Sequence, residues 1–134
     1  MDRTELMHMF NSPNRLGTMS TSDDEGNLNA GVFNSLRMID EQTAVMALGG
    51  NRSLDNLQKH PKAVFLFFEP DPDPLHWKGA RVYMRVDRIE REGPLFDQLV
   101  QQVRAAAGDR AADGIRAAVT FKIEDARPII DMGA

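Results

Sequence analysis

The 134-residue chain carries 16 basic and 20 acidic residues, giving a formal net charge of −4, and its pI of about 5.3 works against general binding to phosphate backbones or acidic membrane surfaces. Hydrophobic residues make up 42% and charged residues 27%, with a mean hydropathy of −0.40, the balance of one globular domain over residues 1–134 rather than a disordered or membrane-embedded chain. Cysteine is absent, which removes disulfides, thiolate nucleophiles and cysteine-ligated zinc or iron–sulfur centres, so any redox chemistry must come from a cofactor.

In chain order, Leu6, Met7 and Phe10 fall at helical spacing and predict a first helix over residues 4–10, limited by Pro13. Two stretches rich in Thr, Ser, Val and Phe, 16–22 and 28–38, flank the turn Asp24-Glu25-Gly26-Asn27 and predict a hairpin. A third strand is expected over 43–48, closed by Gly49-Gly50. A short helix over 53–59 follows, ended by His60-Pro61 because the residue before proline resists helical dihedrals. The apolar run 63–68 predicts a strand buried on both faces. Alternation over 77–89 predicts a long strand with Val82, Met84 and Val86 on one face and a bulge where Arg88 and Ile89 break the phase. Gly93-Pro94 opens a helix with the stripe Leu95, Phe96, Leu99, Val100 and Val103, and Gly108 stops it. The last strand, 117–124, turns Val119, Phe121 and Ile123 inward. Six strands joined by tight turns and two or three helices imply a mainly β, α+β architecture with a mostly antiparallel, nearly closed sheet.

The longest apolar run, 63–68, is far below the roughly eighteen residues of a membrane-spanning helix. Asp2, Arg3, Glu5 and Arg15 stand where a secretory signal would place its apolar core, so a cytoplasmic location is expected. His8, His60 and His76 form no ligand pair, and no metal site is expected.

Chemistry is concentrated in the stretch Leu48-Gly49-Gly50-Asn51-Arg52-Ser53-Leu54-Asp55-Asn56. Paired glycines let a ligand approach the backbone at a strand end, and the following helix begins with a guanidinium and a hydroxyl beside its free amide groups. This is a candidate phosphate site, with Asn56 one turn beyond Arg52. The same residues also fit a plainer arrangement in which Ser53 is an N-cap, Arg52 is solvated and the glycines form a turn. A second stretch, Ala30-Gly31-Val32-Phe33-Asn34-Ser35-Leu36, offers an aromatic wall with adjacent donors and acceptors, or a core phenylalanine at a strand end. The acidic run Ser22-Asp23-Asp24-Glu25 reads as a solvated turn.

Through Leu16-Gly17-Thr18-Met19-Ser20-Thr21, Val32-Phe33-Asn34-Ser35, Gly49-Gly50 and Arg52-Ser53-x-x-Asn56-Leu57-x-x-x-Pro61, the chain resembles the FMN-binding split-barrel family. That family includes pyridoxamine 5'-phosphate oxidase and small bacterial FMN-binding proteins. The resemblance implies a six-stranded Greek-key barrel and a homodimer with one FMN in each of two clefts between subunits. It implies Arg52 and Ser53 on the phosphate with Asn56 in support, Val32, Phe33 and Asn34 along the ribityl chain and ring, and the Gly49 and Gly50 backbone at the ring edge. It further implies an FMN-dependent oxidoreductase using NAD(P)H or a redox partner, or alternatively a non-enzymatic FMN-binding electron carrier. A third reading is a dimeric module for another phosphorylated ligand. Residues 127–134 hold one arginine and no histidine, so the basic substrate segment of a pyridoxamine 5'-phosphate oxidase is missing.

Overall fold

The computed structural model describes residues 1–130. Among them α1 (Arg3–Phe10) is followed by β1 (Leu16–Ser22), β2 (Leu28–Val32), β3 (Arg37–Asp40), β4 (Thr43–Gly49), α2 (Arg52–Lys59) and β5 (Lys62–Glu69). A 3-10 turn (Pro74–His76), β6 (Lys78–Glu90), α3 (Pro94–Ala107), α4 (Asp109–Asp113) and β7 (Ile115–Pro128) complete it. The seven strands form one sheet in the order β2-β1-β5-β6-β7-β4-β3, antiparallel at every pairing. Laid flat, such a sheet would separate its edge strands by about 29 Å, six spacings of roughly 4.8 Å. The edges β2 and β3 are nevertheless consecutive in sequence, and the stretch from Val32 to Arg37 reaches at most about 18 Å. The sheet must therefore curl until its edges approach, which produces a split barrel.

Seven strands replace the expected six because 28–38 is not one element. It divides at residues 33–36, which leave one edge of the barrel and enter the other. Leu36, fully buried, and Phe33, half-buried against the core, fill this seam. A one-strand reading cannot anticipate a chain that changes edge. The expected bulge is present as a register shift between Val86 and Arg88, with a second between Tyr83 and Met84. The last strand is longer than expected, pairing up to Pro128.

Inward residues alternate along each strand and build one barrel core of Met19, Met46, Phe65, Phe67, Val82, Met84, Val119 and Phe121 among others. Asp2 caps α1 by accepting from the Thr4 N–H at 3.0 Å, and the helix inserts Leu6 and Phe10 into that core. The Phe10 ring lies 5.2 Å from Phe65 and 5.3 Å from Phe67, so α1 closes one side of the barrel. The strand buried on both faces is β4, not β5. Ala44, Met46 and Leu48 face the barrel, while Val45 and Ala47 pack beneath α3 with Leu99 and Ala118. The reason is placement of the one long amphipathic helix: α3 covers β4 and β7. It leaves Val64, Leu66 and Phe68 of β5 half-buried on an uncovered outer face.

Beneath α3, Thr120 is 3% exposed, and its hydroxyl has no hydrogen-bond partner among the described residues. Replacing it by valine keeps the β-branched shape and removes the desolvation penalty of an unpaired hydroxyl. Thr120→Val is expected to stabilise the fold by about 1 kcal/mol, read as a raised urea midpoint with an unchanged slope. A lowered midpoint would show that the hydroxyl is satisfied in solution. No helix among the described residues is long and apolar enough to cross a membrane.

Candidate functional site

Helix α2 begins five residues after Ala47 and packs against β1 and β2. Its N-cap is Asn51, whose side chain accepts from the Leu54 N–H at 3.0 Å. The capping role considered for Ser53 therefore falls two residues earlier, and Ser53 lies in the first turn. Ser53 is 2% exposed, and its hydroxyl oxygen accepts from Asn29 Nδ2 of β2 at 3.1 Å, leaving its proton available as a donor. Asn56 is also buried and donates from Nδ2 to Thr21 Oγ1 of β1 at 3.1 Å. These two bonds fasten α2 across the β1–β2 hairpin, which fixes the direction of its amino end.

Arg52 stands exposed at that end and makes no hydrogen bond or ion pair among the described residues. It lines an open cleft of about 560 Å³ with Asp23, Asn27, Leu28, Asp55, Asn56 and Lys59. Asp23 brings a negative charge, yet its oxygens are already occupied: Oδ1 accepts the Glu25 and Asn27 N–H groups and Oδ2 accepts Asn27 Nδ2. Those bonds, from the Asn27 side chain foremost, hold its carboxyl below the usual range. The cleft thus presents the Arg52 guanidinium and the Lys59 ammonium beside the exposed Asp55 carboxylate, and the buried Ser53 hydroxyl and the first-turn N–H groups stand next to Arg52, a donor set that fits a phosphate.

The other expected residues lie along and beyond β2. This strand is an edge whose outer backbone groups have no strand partner among the described residues. Its side chains Leu28 and Val32 are 83% and 68% exposed. Phe33 turns back toward the core, its ring so close to Gly31 that an added Cβ there would meet it at 2.9 Å. Asn34 opens into a cavity of about 280 Å³ between the 33–36 connection, β4 and α3, lined also by Ser35, Arg37, Ala47, Leu99 and Val103. Ser35 Oγ donates to the Ala47 carbonyl at 3.2 Å and holds the connection against β4. Gly49 and Gly50 follow at the end of β4. A Cβ on Gly49 would lie 3.3 Å from the Gly114 carbonyl oxygen, and one on Gly50 would lie 3.6 Å from Arg116 Cγ.

The structure therefore distributes the eight expected residues over two places joined by β2. Arg52 and Asn56 line the open cleft with Ser53 buried beside them, Asn34 opens the cavity under α3, Val32 and Gly49 end β2 and β4, and Phe33 and Gly50 stand one residue beyond those strand ends. Sequence reasoning missed Lys59 and the wall formed by Arg37, Leu99 and Val103. Nothing local marks that wall, because it exists only where α3 crosses β4.

The sequence profile of the pyridoxamine 5'-phosphate oxidase family matches residues 4–129. The chain belongs to that family. Among solved structures, an FMN-binding protein from Syntrophomonas wolfei subsp. wolfei superposes with a TM-score of 0.81 at 25% identity, covering 97% of this chain and 90% of that one. An F420 reductase superposes with a TM-score of 0.67 at 11% identity, covering 89% and 93%. HutZ, the heme storage protein from Vibrio cholerae, gives a TM-score of 0.64 at 15% identity, covering 90% and 87%. The last two likenesses concern the fold alone. No curated protein matches the sequence. Proteins of this fold thus include an FMN-binding protein, an F420 reductase and a heme storage protein, so the fold alone does not choose a cofactor and the choice rests on the residues of the clefts.

Proposed function

We propose that this family member binds FMN and acts as an oxidoreductase, working as a homodimer with FMN in clefts between the subunits. The observation that carries the reading is the free Arg52 guanidinium beside the Ser53 hydroxyl at the amino end of α2. From that cleft the unpaired edge of β2 leads toward the cavity at Asn34. From Ala47 to Arg52 the chain spans at most about 18 Å, so the two places lie within reach of one elongated ligand.

In this reading Arg52, Ser53 and Lys59 hold the phosphate by charge-assisted hydrogen bonds. The outer edge of β2 lies along the ribityl chain, with Val32 in apolar contact, Phe33 stiffening the turn and Asn56 keeping α2 in place. Asn34 and the Gly49–Gly50 backbone present polar groups to the ring, while Leu99 and Val103 keep water from one side of it. Bound FMN supplies one- and two-electron redox chemistry that no side chain here can perform. The protein's share is binding, orientation and water exclusion, and no side chain is assigned as a proton donor. The electron source in this reading is NAD(P)H or a redox partner.

Three features support the dimer. Leu16, Leu28 and Val32 are 50%, 83% and 68% exposed, and Val64, Leu66 and Phe68 face outward on β5 only half-buried. Beside them the Trp77 ring stacks on Phe68 at 5.1 Å and 7° and remains 36% exposed. A twofold interface would bury this apolar surface while building two equal clefts. Heme is the weaker alternative, because none of the three exposed histidines lines either the Arg52 cleft or the cavity under α3.

The test is the visible spectrum and mass of freshly purified protein, followed by titration of the apoprotein with FMN and with hemin. Flavin bands, a two-chain particle and saturable FMN binding that raises the melting temperature are expected. Tight hemin binding with no response to FMN would overturn the assignment. Steady NAD(P)H consumption with an added acceptor distinguishes the enzyme from a carrier that binds FMN without turnover.

A further inference from the structure

Between β1 and the end of α1 sits Arg15, a buried cation with no counter-ion among the described residues. It is 5% exposed, and its guanidinium donates from Nε to the Phe10 carbonyl and from an Nη to the Leu36 carbonyl. The Phe10 and Phe65 ring centroids lie 5.5 and 5.0 Å from its Cζ. Carbonyl dipoles and ring faces stabilise the charge in part, but no carboxylate comes within ion-pair distance among the described residues. A second cation adds to it. Arg37 also donates only to carbonyls, those of Asn34 and Leu36, and it stands close enough to repel the Arg15 charge. Burial foremost, and this repulsion second, lower the Arg15 pKa to about 10.

Both arginines line one pocket of about 280 Å³, whose other walls are Ser12, Pro13, Asn14, Leu16 and Asn34. The chain holds 20 acidic against 16 basic residues, yet this pocket contains two guanidinium groups and no acid. Ser12 Oγ accepts the Asn14 N–H at 3.4 Å, so its proton is free to donate outward. Asn14 and Asn34 add amide groups. Two converging cations surrounded by donors, one of them withdrawn from water, describe a site whose missing member is an anion.

We propose that the pocket between the carboxy end of α1 and the 33–36 connection binds a small oxyanion, the carboxylate or phosphate group of a small ligand, through Arg15 and Arg37. Asn34 and Arg37 also line the cavity under α3, so the oxyanion lies next to the place assigned to the flavin ring. Its use as the anchor of an anionic substrate rests on the flavin reading; oxyanion binding itself does not.

The experiment titrates the full-length apoprotein with inorganic phosphate at constant ionic strength, following the Arg15 Nε–H and the Asn14, Asn34 and Arg37 amides by NMR. A saturable shift of these groups is expected, with a midpoint of its own, distinct from the response of the α2 amides to phosphate at Arg52. The affinity read at these groups should fall about tenfold in Arg37→Gln, an exposed position that leaves the Arg15 bonds in place, while any response of the α2 amides stays unchanged in that variant. Succinate should move the same resonances; silence toward succinate with saturation by phosphate narrows the ligand to a phosphate. Linear, unsaturable shifts mean an adventitious ion only and overturn the proposal. So does loss of these pocket shifts in Arg52→Gln with their retention in Arg37→Gln, which makes them a response to an anion at α2. If FMN fails to bind while phosphate saturates at Arg37, the flavin reading falls and the oxyanion site stands.

Discussion

Substituting Gly79 by alanine is expected to cost about 3 kcal/mol or more, lowering the melting temperature by roughly 10 °C for a chain of this size. Gly79 sits in β6 opposite Phe68 of β5. A Cβ built there would lie 2.1 Å from the Phe67 carbonyl oxygen, 2.8 Å from Phe68 Cα and 3.0 Å from the Phe67 carbonyl carbon. These obstacles are backbone, so no side-chain rotation relieves them. The strands must separate at the very end where Phe68 supports the stacked Trp77 ring. Gly50→Ala is the matched control: its Cβ would meet only Arg116 Cγ at an ordinary 3.6 Å, and its φ is not positive. Thermal unfolding of the two variants side by side makes the comparison. A Gly79→Ala protein within about 1 kcal/mol of the parent would mean that the β5–β6 pair is looser than drawn.

The second large effect concerns ligand binding rather than folding. Arg52→Ala is expected to weaken FMN affinity by roughly ten- to a hundredfold, the value of one or two charge-assisted hydrogen bonds to a phosphate. The melting temperature of the apoprotein should hardly move, because Arg52 makes no hydrogen bond or ion pair among the described residues. Fluorescence titration with FMN, paired with a melt of the apoprotein, separates the two quantities. Undiminished affinity in Arg52→Ala would remove the phosphate from α2. A fall in affinity matched by an unstable apoprotein would make Arg52 a structural residue. Gly50→Ala adds a further check, since it should keep the fold yet crowd a ring that approaches the β4 end closely.

Arg52 and Ser53 show how far local reasoning reached. A strand ending in glycines followed by a polar helix start is visible in sequence because its pieces are adjacent along the chain, and the structure builds that strand-to-helix corner. The cap, however, is Asn51. Asn and Ser cap about equally well, and the choice between them depends on which residue has extended dihedrals, a matter of how the chain leaves β4. Ser53 is instead drawn into contact with Asn29, 24 positions earlier in the chain. Phe33 and Asn34 divide similarly: the sequence left Phe33 open between an aromatic wall and a core residue, and the turn between the barrel edges packs the phenylalanine against the core and opens the asparagine to a cavity.

Periodicity and punctuation alone determined the element types, the antiparallel character of the sheet and the bulge near Arg88, since each depends on residues a few positions apart. Three matters depended on contacts between distant segments: the break of 28–38 into two strands, the burial of β4 rather than β5 on both faces, and the meeting of Arg15 with Arg37. A strand's second face is apolar or wet according to where a helix lands, and α3 lands on β4 and β7. Likewise two arginines 22 positions apart acquire a shared pocket only when the sheet curls. Their charges interact through space, and no spacing along the chain encodes that distance.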